Sequence, residues 1–376
     1  MPSAFIYNMK FFFELLKIIV GNQAQFSVAP SQKDWERMFV MLQQQSLLGV
    51  AMPVLKMLPK EQCPAGDLPL VWYTLADRLR LMNAELNRKS AEISRWFEEQ
   101  GFKTCILKGQ GNATMYPDPA LRNSGDIDIW VWPKDAKFVY GDLTQRRSKI
   151  LDFVNHNYGA QPCFYHHVDF PKYEHVEVEV HFTPTWMNSY FKNRELQRFV
   201  VDEAPACFEN SCSIGDDLKI NIPSWRLNVV FQLIHMQKHL FAEGIGLRQV
   251  MDYYYLLTTH TDAEARAKVL SVIRALGLET FLAAMQWVLH QVFGLKQEFW
   301  IGGIDESNGK LLLNEILSGG NFGKFGDHKD LGTSERLLER MTLKLRRAWQ
   351  FRQLVRTEVL WSPLFKTWHY FWRMSL

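Results

Sequence analysis

The sequence predicts an α+β protein in which a mixed β-sheet core is flanked by an N-terminal and a C-terminal helical region. Three observations lead there. Apolar residues recur at three- and four-residue spacing up to about residue 98, the period changes to an extended one after Gly101, and the helical period returns from Trp225. Those changes divide the chain into a helical region over 1–98, an α/β core over 99–222 and a helical domain over 223–376.

Taken in order, the first helix is read from Phe12, Leu16 and Ile19, and the second from Trp35, Met38, Phe39 and Leu42. Ser31 stands before the second as an N-cap, with Asp34 three residues on. A third helix over about 70–100 carries Leu75, Leu79, Met82 and Leu86 on one side and stops at Gly101. Strands are expected at 102–107, 127–131 and 176–182, with helices at 110–115 and 133–157 between them. Helices then follow at 227–240, 247–258 and 264–293, and Gly302-Gly303 and Gly319-Gly320 mark loops.

Composition excludes several classes. With 47% hydrophobic and 22% charged residues the chain is neither disordered nor a coiled coil. A balance of 43 basic against 40 acidic residues creates no global field for a polyanion, so any nucleic-acid contact has to be local. Five cysteines form neither an even disulfide framework nor a CxxC pair, which points to reduced thiols in the cytoplasm. The apolar run from Phe11 to Val20 is broken by Glu14 and Lys17, so stable membrane insertion is not expected.

The stretch that carries chemistry runs from Leu107 to Val131. Residues two apart in a strand share a face, so Asp126 and Asp128 present two carboxylates while Ile127 and Ile129 face the core. Like charges that close repel unless a cation lies between them, and hard oxygen ligands suit Mg²⁺ or Mn²⁺. The alternating strand at 176–182 puts Glu177, Glu179 and His181 on one face, so strand pairing can bring a third carboxylate from either glutamate. Three carboxylates make a two-metal site of the kind that binds a triphosphate and activates an acceptor hydroxyl. Gly109 and Gly111 allow backbone N–H groups close to phosphate oxygens, and Lys108 and Arg122 bring positive charge.

These residues resemble the polymerase-β-type nucleotidyltransferase superfamily, and LKGQGNATMYPDPALRNSGDIDIWV with VEVHFTP is similar to its bacterial "uncharacterised nucleotidyltransferase" branch. The resemblance implies a nucleotidyltransferase-type core that moves a nucleoside monophosphate from an NTP, ATP first, to an acceptor hydroxyl and releases pyrophosphate. By position it makes Asp126, Asp128 and Glu179 the metal-binding and catalytic carboxylates, favours Glu179 over Glu177, and puts His167 and His181 near the active site. Lys108, Gly109, Gln110, Arg122, His181 and Arg248 are the expected nucleotide-binding residues. Gln110 stands where the superfamily has Gly or Ser, and on that feature rests the alternative of a non-catalytic nucleotide sensor. The acceptor is open among a small molecule, a protein and a tRNA.

Other motifs have plainer readings. His166-His167 and His181 are expected to line a cleft, because no cysteine or third histidine stands at zinc spacing in the sequence. His235 and His239 share a helix face without the glutamate of a zinc protease motif. Arg248 and Asp252 are four apart and form either an intrahelical ion pair or a cleft wall. In the last 36 residues, seven basic residues and one acidic accompany Trp368, Tyr370, Phe371 and Trp372, a helix that docks its aromatic face or touches RNA or a membrane surface.

Overall fold

The computed structural model describes residues 9–173, 175–215, 217–242, 244–320 and 347–374. The first eight residues of the N-terminal region, and residues 321–346 and 375–376 of the C-terminal region with the tail's Lys344 and Arg346, lie outside the described residues.

The N-terminal region is helical: α1 (Lys10–Ile19), α2 (Gln32–Gln44), two single turns α3 (Leu48–Ala51) and α4 (Val54–Met57), and the long α5 (Leu68–Glu99). Ser31 caps α2 as its sequence indicates, its hydroxyl accepting from Asp34 N while Asp34 Oδ2 accepts from Ser31 N at 3.0 Å. At 32 residues α5 is about 48 Å long, enough to touch both the N-terminal helices and the sheet. Asn83 on α5 donates to the carbonyls of Ala120 and Arg122, each at 2.7 Å, and so pins the loop that enters the second strand.

The core holds β1 (Phe102–Leu107), α6 (Gly109–Ala113), β2 (Ile127–Pro133), α7 (Leu143–Tyr158), β3 (His167–Asp169) and β4 (Val178–His181). Strand order is β1-β2-β4-β3, with β2 and β4 parallel and the outer pairs antiparallel, which makes the sheet mixed. Alternation sorts its faces. Ile127, Ile129 and Val131 join the cluster built with α7 and the end of α5, while Trp130 and Trp132 join the large helical core on the other side. Asp128 therefore projects on the face of the C-terminal helices.

After α8 (Tyr190–Glu209) and a small hairpin of β5 (Ser211–Ser213) and β6 (Lys219–Asn221) come α9 (Trp225–Ala242), α10 (Leu247–Thr258), α11 (Ala263–Leu276), α12 (Glu279–Phe293), α13 (Glu306–Gly319) and α14 (Arg356–Met374). Two sequence expectations need correction. The helix expected over 133–157 begins only at Leu143, since β2 runs through Pro133 and Gly141 takes a left-handed φ of 108°. The helix expected over 264–293 is two, because Gly277 at φ 74° caps α11 with the conformation glycine adopts most cheaply.

Candidate active site

The floor of the site is built by register. Asp128 on β2 lies opposite Glu179 on the parallel neighbour β4, and His167 on β3 lies opposite His181 on β4. Pairing thus brings side chains 51 residues apart in sequence onto adjacent rungs. His181 Nε2 stands 3.0 Å from Asp128 Oδ1 and 3.3 Å from Glu179 Oε2, and Lys108 Nζ stands 3.0 Å from Asp128 Oδ2. Lys108 reaches it from the β1–α6 turn, where Lys108 itself has φ 52° and Gly109 φ 37°. Two successive left-handed residues turn the chain sharply enough to aim the lysine back over the strand ends.

Charge on the floor is compensated within the group. Burial would raise the pKa of Asp128, which is 1% exposed, but Lys108 and His181 hold it below its ordinary value. Glu179 is likewise brought to about 2, its hydrogen bond with His181 and the charges around it outweighing burial. His181 rises to about 9 against the pull of burial, through its bonds to Asp128 and Glu179. Burial also works against Lys108, yet Asp128, Asp126 and Glu179 keep it protonated. One ligand atom each of Asp128, Glu179 and His181 falls within 4.8 Å of the others; with the His181 proton between them, the two carboxylates are the oxygen donors that fit a divalent cation.

Not every expected residue joins this group. Asp126 precedes β2, so no ladder fixes its side chain beside Asp128; it is exposed on the cleft wall and outside the three-ligand set. Glu177 is exposed beyond the start of β4, with its carbonyl accepting from Ile127 N. Gln110 is buried away from the cleft, its amide donating to Asn87 Oδ1 and Asn83 O on α5. A Cβ on Gly111 would come within 2.9 Å of Ile222 Cγ2, so that glycine serves close packing. Arg122, expected to contact phosphate or stabilise the loop, lines the cleft and grips Asp252 in two bonds of 2.7 Å and Ser124 Oγ in one of 2.8 Å. The intrahelical partner expected for Asp252 is thus supplanted by an arginine 130 residues away, while Arg248 Nη1 donates to Asn123 O at 2.7 Å.

Above the floor is a cavity of about 330 Å³, walled by the Arg122–Asp126 loop, His166, Trp186 and one face each of α9 and α10. α10 does face it, through Arg248, Gln249 and Asp252. On the α9 side Gln232, His235, Lys238 and His239 all line the cavity; the sequence put His235 and His239 on one helix face but gave neither these two nor Gln232 and Lys238 a place in the cleft. Their signal was present as a polar stripe at three- and four-residue spacing on an otherwise apolar helix. Gln232 donates to Asn112 Oδ1, Asn112 to Asp252, and Tyr116 OH to Asp252 Oδ1, tying α6, α9 and α10 together. The third histidine that sequence spacing denied to His166 and His167 is also there, since pairing of β3 with β4 draws His181 in and the three can offer nitrogens within 4.8 Å.

A family model described as "Uncharacterised nucleotidyltransferase" matches residues 31–294, from the cap of α2 to the end of α12, and includes the whole floor and both cleft helices. The chain belongs to this nucleotidyltransferase family. No curated protein matches it. As a nucleotidyltransferase the protein acts on a nucleotide. The match ends at residue 294, and α13 and α14 lie beyond it.

Proposed function

We propose that this nucleotidyltransferase transfers a nucleoside monophosphate from an NTP, ATP first, to an acceptor hydroxyl and releases pyrophosphate. The observation that carries the reading is the pairing of Asp128 with Glu179 across parallel strands at the floor of a cleft that Lys108 and Arg248 also line. Asp128 and Glu179, with Asp126 from its exposed place on the same wall, are assigned to hold Mg²⁺ or Mn²⁺. The ion when bound neutralises the triphosphate and lowers the pKa of the acceptor hydroxyl.

The chain's own residues supply the rest. Lys108 and Arg248 bring positive charge to the phosphate side, and Gly109 lets the backbone approach. Arg122 works through Asp252, holding the loop that carries Asp126 against α10. His181, between the two carboxylates, keeps them close while its proton offsets their charge. Positioning and charge neutralisation are the main contributions such an enzyme makes.

The non-catalytic alternative rested on Gln110, whose side chain serves the contact with α5 and does not enter the cleft. For the acceptor we retain a hydroxyl of a small molecule, a protein or a tRNA. Tyr370 and Phe371, exposed on α14 beside Arg373, support RNA contact, for which binding that falls steeply with added salt is the check. No helix among the described residues is long and apolar enough to cross a membrane. The cytoplasm is the proposed compartment, on the absence of a disulfide framework in the cysteine spacing.

The test is pyrophosphate release from ATP with Mg²⁺ across a panel of acceptors. Wild-type protein is expected to release it with at least one acceptor and to stop when EDTA is added. Asp128→Asn is expected to lower the rate by about a thousandfold or more, the scale of several kcal/mol of lost charge stabilisation. Unchanged release by the folded variant refutes the assignment.

A further inference from the structure

A second cavity, of about 460 Å³, shares no lining residue with the active cleft. It lies between α7, α8, the turn at Met187 and Asn188, and the aromatic face of α14. Its wall contains no aspartate or glutamate but two arginines, Arg146 and Arg194, with Trp361, Phe365 and Trp368 opposite.

Arg146 is the decisive residue. It is 4% exposed, and among the described residues no carboxylate lies within ion-pair distance of it. Its guanidinium sits 3.5 Å from the centroid of the Trp132 ring, Nη1 reaches only Phe182 O at 3.4 Å, and buried Nε has no acceptor. Arg147, 6% exposed, also has one carbonyl partner and an Nε without an acceptor, but two other buried arginines are served better. Arg122 has both oxygens of Asp252, and Arg266 donates to the carbonyls of Phe299, Leu257 and His260. Burial brings Arg146 down to about 10, opposed by Asp142 and aided by the charge of neighbouring Arg147. A cation buried without a counter-ion is costly, and a rigid fork of donors in an apolar, acid-free cavity is the usual geometry for grasping an oxyanion.

We propose that this cavity binds a small molecule with a flat aromatic or apolar body and one oxyanionic group, carboxylate or phosphate. The oxyanion pairs with Arg146, and the body lies against Phe365 and Trp368 of α14. α14 lies beyond the residues 31–294 matched by the family model, while α7 and α8, which carry Arg146 and Arg194, lie within them. It stands independently of the transferase reading.

The test uses three probes on the full chain by isothermal titration calorimetry: 2-naphthoate, 2-naphthyl phosphate and the neutral 2-naphthamide. At least one anionic probe is expected to bind tenfold or more tightly than the amide, and the better of the two identifies the oxyanion. Arg146→Met, with its fold checked by circular dichroism, is expected to erase that preference. Leu364→Trp, at a wall position 62% exposed and so tolerant of replacement, is expected to fill the cavity and weaken all three probes tenfold or more. The proposal is overturned if the anions bind no better than the amide, or if Leu364→Trp leaves the affinities unchanged. A folded Arg146→Met that keeps the preference overturns it as well.

Discussion

Asp252 shows how much of the cleft depends on a residue that never faces the floor. Its carboxylate takes two bonds from Arg122 and one from Tyr116, all in a buried setting. Asp252→Asn leaves the Arg122 charge uncompensated, and a loss of about 3–5 kcal/mol of stability is expected at neutral pH, measurable by urea unfolding. Burial alone would raise the Asp252 pKa, but Arg122 outweighs it and holds the carboxyl below its ordinary value. A lowered pKa means that the contribution is complete above the unfolded carboxylate value of about 3.9 and fades as pH falls through the lower folded one. The gap between wild type and variant is therefore expected to be level from pH 8 to 5 and to narrow below pH 4. At this scale the sequence was readable where a strand period fixes a face, as for Asp128 and Glu179, and misleading where the partner comes from afar, as for Arg122 and Asp252. Local spacing offered Arg248 at i−4; only tertiary packing selects Arg122.

Among elements, the one-turn helix α3 is a support for the loop that lines the cleft. A Cβ on Gly49 would fall 2.2 Å from Leu121 O and 2.8 Å from Leu79 Cδ1, so α3 rests directly against the turn that precedes Arg122. Gly49→Ala is expected to cost about 1–3 kcal/mol by overpacking. By displacing that turn it is also expected to slow pyrophosphate release, although residue 49 is remote in sequence from the floor. An unchanged rate with lowered stability separates the two effects and removes α3 from the catalytic argument. Long amphipathic helices, the strand at 102–107 and the 127–131 part of β2 were legible because several periods repeat. β3, β5 and β6 have three residues each, too few for any period to register, yet β3 is the strand that delivers His167.

Over the whole molecule, the helices at both ends of the chain share one hydrophobic core that extends from Met9 to Val355. Asn22 next to α1 donates to Tyr254 OH at 2.7 Å and to Phe293 O at 2.6 Å, and Gln45 bridges Leu247 N and Ile316 O. Composition and period reveal segments of helix but not which of them meet, so this closure was not readable in advance. α14 is fastened by Glu358, which accepts from Asn188 N at 2.6 Å and Ser189 N at 3.1 Å. Glu358→Ala is expected to remove about 1.5–3 kcal/mol, the worth of hydrogen bonds to a charged group, and to raise amide exchange over 356–374. Exchange unchanged there assigns the docking of α14 to its ring contacts, among them those with Tyr165, Trp186 and Phe191.

Carboxylates from two parallel strands are proposed to hold a divalent cation, and Mn²⁺ binding followed by electron paramagnetic resonance in the presence of a non-hydrolysable ATP analogue tests that claim most directly. Wild-type protein is expected to deplete the free Mn²⁺ signal, with Asp128→Asn and Glu179→Gln each weakening binding at least a hundredfold while circular dichroism stays the same. Equal Mn²⁺ affinity in wild type and both folded variants contradicts the claim.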